Sequence, residues 1–100
     1  MTSLNKKKEK ALQDQIIEHL KSRDIYTLNV HGGGWGGRGT PDLLICLDGR
    51  FIAFELKVKG NNLEPAQRIH KKRIERNGGL HYSPYSFEEY LEIMKGLEVK

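Results

Sequence analysis

Asp48-Gly49, set between the apolar runs Leu43 to Leu47 and Phe51 to Phe54, constrains this chain more than any other pair of residues. An Asp-Gly step between two strand-forming runs specifies a two-residue type I′ hairpin turn. Both central positions of that turn need positive φ, and its twist matches that of the flanking strands. Such a turn pairs Leu47 with Arg50 and fixes every pair beyond it. Asp42 then falls opposite Glu55, with Cβ atoms roughly 4.5–5.5 Å apart. Lys57 follows Glu55 by two residues and shares its face of the strand. Two facing carboxylates with an ammonium alongside call for a divalent metal between them. The competing reading is a cross-strand salt bridge on a solvated sheet face. Phe51 and Ala53 lie on the face of Glu55 and Lys57 and weaken it, because unpaired charge beside a partly covered surface is costly.

The rest of the chain supplies the elements around this hairpin. Ala11, Leu12, Ile16, Ile17 and Leu20 recur at helical spacing and predict an amphipathic helix from about Lys8 to Ser22. Ile25 to Val30 reads as a strand, and the glycine-rich run from His31 to Gly39 as a loop. The hairpin strands are predicted over Asp42 to Leu47 and Arg50 to Lys59. Because Leu43 to Cys46 are consecutively apolar, the first of them is expected to be buried on both faces. Pro65 suits a first helical position, and Gly78-Gly79 should stop that helix after Asn77. Leu80 to Ser83 predicts a short strand. Ser86 and Glu89 form a capping box for a last helix to about Lys95, whose core face is Phe87, Tyr90, Leu91 and Met94. The order is helix, three-stranded meander, helix, a crossover strand expected to be parallel, and helix: an α/β fold with a mixed sheet flanked by helices.

Residues 1–100 make one small domain, with 37% hydrophobic content and room for a single core. Seventeen Lys and Arg against thirteen Asp and Glu give a net charge of +4 and a pI near 9.3, which suits a polyanionic partner. Cys46 is the only cysteine, so neither an intramolecular disulfide nor a cysteine-rich zinc site can form. Nowhere do roughly 18 apolar residues run together, and no apolar stretch follows Lys6-Lys7-Lys8, so neither membrane spanning nor secretion is expected. A cytoplasmic location is the expectation.

With this order of elements, Pro41-Asp42 followed by Glu55-Leu56-Lys57 resembles the Pro-Asp…(Asp/Glu)-X-Lys signature of the restriction-endonuclease-like nucleases. The segments Gly39-Thr40-Pro41-Asp42-Leu43-Leu44, Asp48-Gly49-Arg50-Phe51, Phe54-Glu55-Leu56-Lys57 and Leu63-Glu64-Pro65-Ala66-Gln67 resemble the VRR-NUC branch. The likeness is to its small stand-alone phage and bacterial members, and it extends over nearly the whole chain. It implies a restriction-endonuclease-like αβββαβ core with an added C-terminal helix. It also implies a nuclease dependent on Mg²⁺ or Mn²⁺, with Asp42, Glu55 and the Leu56 backbone carbonyl as metal ligands and Lys57 as catalytic lysine. An acid on the first helix and a glutamine on the second should stand near the metal. Glu9 is the chosen acid, with Glu18 the alternative, and Gln67 is the glutamine. Branched DNA such as four-way junctions, and a homodimer, are what the small members suggest.

The chemistry is coherent with those residue types. Hard divalent cations prefer carboxylate, carbonyl and water oxygens. Phosphodiester hydrolysis develops negative charge on the nonbridging and leaving oxygens, where a lysine stabilises the transition state more than the ground state. Other motifs carry less. Gly34 to Gly39 matches G-x-G-x-x-G in form, but Pro41 and a strand follow where a phosphate-binding helix should begin, so no nucleotide cofactor is expected. That loop could instead admit DNA, with Arg38 on a phosphate and Trp35 stacking on a base; Arg68, Lys71 and Lys72 on the second helix would add phosphate contacts. His19, His31, His70 and His81 show no metal-binding spacing. The rival function is a DNA-binding module without turnover, and a third possibility is a structural protein whose acids form salt bridges. A binding module has no need of Asp42, Glu55 and Lys57 together.

Overall fold

Asp48 and Gly49 adopt φ of 52° and 78°, the two positive values of a type I′ turn. The register follows from it. Leu47 pairs with Arg50, Ile45 with Ile52 and Leu43 with Phe54. The structure is a computed structural model that describes residues 3–30, 37–58 and 60–98. Its elements are α1 (Ser3–Ser22), β1 (Tyr26–Asn29), β2 (Leu43–Leu47), β3 (Arg50–Phe54), α2 (Pro65–Arg76), β4 (Leu80–Tyr82) and α3 (Phe87–Glu98). The sheet order is β1-β2-β3-β4, antiparallel through the meander and parallel where β4 joins β3 after α2. This is the α/β architecture expected from the sequence.

Alternation along the strands divides the side chains between two faces. Leu43, Ile45 and Leu47 from β2 and Ile52 and Phe54 from β3 point to one face. There, with Leu56, they meet Leu12, Ile16 and Leu20 of α1 and Tyr90, Met94 and Leu97 of α3. This is the main core. Each fully buried Leu, Ile or Phe contributes about 1.5–3 kcal/mol relative to exposure, so the face is strongly specified. The other face carries Phe51, Ala53 and His81 under α2. Ala53 and His81 are buried, whereas Phe51 remains half exposed.

The expectation that β2 is buried on both faces is not met: Cys46 is exposed and Leu44 only half-buried. The helix on that side packs against β4 and leaves the β1–β2 half of the face uncovered. A consecutive apolar run therefore does not mark a strand with two covered faces here. α1 also begins earlier than the apolar periodicity predicts, since its opening turns from Ser3 are polar apart from the exposed Leu4. α3 runs three residues further, and Leu97 joins the core. Among the described residues no helix is long and apolar enough to cross a membrane.

Candidate active site

β2 is one residue shorter than predicted and β3 ends at Phe54, and this mismatch builds the site. Beyond Phe54 the chain stays extended and continues pairing on one edge only. The Glu55 and Lys57 amides donate to Tyr82 and Pro84 carbonyls at 2.9 and 3.3 Å. On the opposite edge β2 has run out, so the intervening amides have no strand to pair with. Carboxylates take its place. The Leu56 N–H donates to Asp42 Oδ2 at 2.8 Å, and the Val58 backbone donates to Glu9, which reaches over from α1. Buried peptide groups are costly to leave unpaired, so the same shortfall that stops the sheet fixes two acids at its end.

Asp42 is itself held by backbone bonds. Its N–H donates to the Phe54 carbonyl at 3.0 Å, and its carbonyl accepts from Val30 at 3.0 Å. Upstream, Gly39 has φ of 82°, and a Cβ there would lie 2.6 Å from the Ala66 carbonyl carbon. Only glycine allows the Pro41-Asp42 entry to pass this close to the start of α2.

Glu55 and Lys57 are 4% and 7% exposed, so their charges are not dissolved in solvent. Burial pushes the Glu55 carboxyl up to about 9. A hydrogen bond with Asp42 and that residue's charge push the same way, Lys57 opposes them, and Glu9 adds a smaller upward push. The Glu9 carboxyl is also raised, chiefly by burial; Lys57 opposes this, Asp42 adds to it, and the Val58 hydrogen bond opposes it. Glu55 Oε1 and Glu9 Oε2 are both buried without a hydrogen-bond partner among the described residues. Two unpartnered carboxylate oxygens, and a Glu55 carboxyl held above its usual range by burial and by Asp42, are features that a bound cation would satisfy.

Among the described residues, no three His, Cys, Asp or Glu side chains stand close enough to cage a metal by themselves. Because N–H and C=O of an extended residue face the same edge, the Leu56 carbonyl is directed to the Asp42 side.

A structure described as a VRR_NUC domain superposes on this chain with a TM-score of 0.75 at 22% identity, covering 88% of this chain and 95% of that one. The chain has the VRR_NUC fold. No family model and no curated protein matches the sequence. The likeness therefore lives in the arrangement of elements.

Within the VRR_NUC fold the structure brings Asp42, Glu55, Lys57 and Glu9 together and keeps Glu18 away. Glu18 is exposed and lines a separate groove with His19 and Phe87. Gln67 sits in the first turn of α2, where its Oε1 accepts the Glu64 N–H at 2.8 Å, so its carbonyl is committed to capping the helix. Arg38, Arg68 and Lys72 are exposed, whereas Lys71 is partly buried, donates to the His81 carbonyl at 3.1 Å and pairs with Glu75. Trp35 and His31 lie outside the described residues. Lys8, Val58 and Tyr85 complete a cavity of about 200 Å³ with Glu9, Leu12 and Lys57. Sequence reasoning missed Tyr85, because a lone aromatic after Pro84 carries no motif.

Proposed function

We propose that this chain is a metal-dependent DNA endonuclease that hydrolyses phosphodiester bonds. The observation that carries the reading is the buried Glu55 carboxyl hydrogen-bonded to Asp42 beside Lys57, with two carboxylate oxygens left unpartnered at the same end of the hairpin. Asp42, Glu55 and the Leu56 carbonyl would hold Mg²⁺ or Mn²⁺, with Glu9 assisting from α1. When bound, that ion supplies a positive charge to the phosphate oxygens and acidifies water at neutral pH.

The chain's own residues do the rest. The Leu56 N–H holds Asp42 in place, and Val58 does the same for Glu9, so neither acid must be reorganised when substrate arrives. Lys57 is buried with its ammonium among these acids, and it stabilises charge developing on the scissile phosphate while orienting the attacking water. Gln67 supports the site from the start of α2. Exposed Arg38, Arg68 and Lys72 grip the DNA backbone, and Trp35, in the glycine-rich stretch of sequence, takes an exposed base. The products are a 5′-phosphate and a 3′-hydroxyl. Branched DNA, four-way junctions included, is the substrate class, and a two-fold homodimer gives the paired cuts that a single site cannot. The location is cytoplasmic, in a bacterial or phage-infected cell.

The deciding experiment incubates the protein with linear, flap and four-way DNA, with and without Mg²⁺ or Mn²⁺, beside Lys57→Ala. Cleavage that needs metal and disappears in Lys57→Ala supports the enzyme. DNA binding without cleavage under either metal overturns it in favour of a binding module.

A further inference from the structure

A second cavity adjoins Lys57. It measures about 210 Å³ and is walled by Asn61, Asn62, Leu63 and Ser83. Lys57, Val58 and Tyr85 belong to both cavities, so Tyr85 stands at the boundary between them. Their chemistries differ. The first holds an acid and two lysines; the second shares Lys57 and adds amides, a hydroxyl, an aliphatic side chain and the tyrosine ring, with no carboxylate among the described residues.

We propose that this second cavity receives one unpaired nucleobase, from the nucleotide adjoining the phosphate that is cut. The inference deepens the nuclease reading and rests on it. Tyr85 follows Pro84, whose carbonyl accepts the Lys57 N–H at 3.3 Å, so the ring's position is tied to the backbone of the catalytic lysine. It is 43% exposed, enough surface for a base to stack on. The opposite wall is similarly held. The Asn61 N–H donates to the Val58 carbonyl at 3.0 Å, closing a turn in which Gly60 has φ of 92°. Asn61 and Asn62 each carry an amide donor and an acceptor, the pair of functions that reads a Watson–Crick edge.

Size and edge chemistry select the ligand. The cavity, at about 210 Å³, has room for a single heterocycle. A base inside a duplex has its Watson–Crick edge occupied, so only a nucleotide outside the helix can present it. A phosphate at Lys57 with its neighbouring base in this cavity would place the cut beside an unpaired nucleotide. Preference for branched or frayed DNA then arises within one chain, whatever its oligomeric state.

The test uses a flap DNA whose cut position has been mapped, with each flanking nucleotide replaced in turn by an abasic one. With wild type, one abasic position should slow cleavage about tenfold, a factor within the range of base–aromatic stacking. Tyr85→Phe should keep that penalty, whereas Tyr85→Ala and Asn62→Ala should lose most of it and cut both substrates at similar slow rates. An equal abasic penalty in wild type and Tyr85→Ala, or no penalty at any flanking position, overturns the cavity assignment and leaves the nuclease reading intact. If wild type cuts no DNA, the nuclease reading fails separately. The cavity is then read by 2-aminopurine in a single strand: quenching by wild type and Tyr85→Phe but not Tyr85→Ala supports it, and equal quenching by all three rejects it.

Discussion

Leu56 N–H and Asp42 Oδ2 stand 2.8 Å apart, so the backbone leaving one hairpin strand holds the carboxylate that opens the other. Asp42 has two separable roles, as a hydrogen-bond acceptor and as an anion. Asp42→Asn keeps an oxygen for the Leu56 N–H, whereas Asp42→Ala leaves that amide without its partner. In urea denaturation Asp42→Ala should be less stable than Asp42→Asn by about 1–2 kcal/mol. Both should lose at least ~100-fold in cleavage, because each removes a charge from the proposed metal site. Equal stability of the two variants would mean that the hydrogen bond contributes nothing to the fold.

Glu55 gives a pH prediction of definite sign. Its carboxyl is pushed from 4.5 up to about 9 in the folded protein, first by burial and then by Asp42. Between those values the native state holds a proton that the unfolded chain has released, so metal-free stability falls as pH rises. The slope from this one group is at most about 1.4 kcal/mol per pH unit. Glu55→Gln mimics the protonated acid and removes that slope, so it should be the more stable protein at pH 8 while failing to cleave DNA. Urea midpoints of the two proteins from pH 5 to 9, without metal, test this. Parallel curves would sink it. Calorimetry in two buffers should also show proton release when wild type takes up Mg²⁺ or Mn²⁺.

How much of the fold and the site is legible in the sequence depends on which residues set each feature. Asp48-Gly49 is a local signal that carries the register of the whole hairpin, so the opposition of Asp42 and Glu55 follows from residue spacing alone. The helix and strand order follows from periodicity and from Pro65, Gly78 and Ser86. Local pattern does not separate Glu9 from Glu18, because the choice depends on how α1 lies across the sheet; the structure brings Glu9 to Lys57 and turns Glu18 outward. Cys46 misleads for a similar reason. Its exposure depends on how far α2 extends over the sheet, which an apolar run does not record. The role of Tyr85 is likewise tertiary, visible only once Pro84 is seen to pair with Lys57.

Gly39 and Gly37 should differ sharply in their tolerance of the same change. A Cβ at Gly39 meets Ala66 at 2.6 Å and must also adopt φ of 82°, whereas one at Gly37 meets nothing within 4 Å. Gly39→Ala should therefore cost about 2–3 kcal/mol, combining a strained backbone with a forced shift of α2. Because the displaced segment leads into Asp42, cleavage should fall as well. Gly37→Ala should change stability by less than about 0.5 kcal/mol. Thermal unfolding of the two variants beside wild type is sufficient, and similar melting temperatures for both would show that the approach of Gly39 to α2 is not a constraint.

His81 should make the fold sensitive to acid. It is 3% exposed beneath α2, and neither ring nitrogen has a hydrogen-bond partner among the described residues. Burial, with the Lys71 charge adding to it, lowers its pKa from 6.5 to about 4, while Glu75 pulls modestly the other way. Here the unfolded chain binds the extra proton, so stability is full above the unfolded value and is lost as pH falls from 6.5 towards 4. The loss attributable to this residue approaches roughly 3 kcal/mol at the bottom of that window. His81→Leu removes the titrating ring and its two unpaired nitrogens at similar volume. It should therefore be more stable than wild type at pH 4.5, with a smaller difference at pH 7.5. A Leu variant that loses stability with acid as steeply as wild type would place the acid-sensitive group elsewhere.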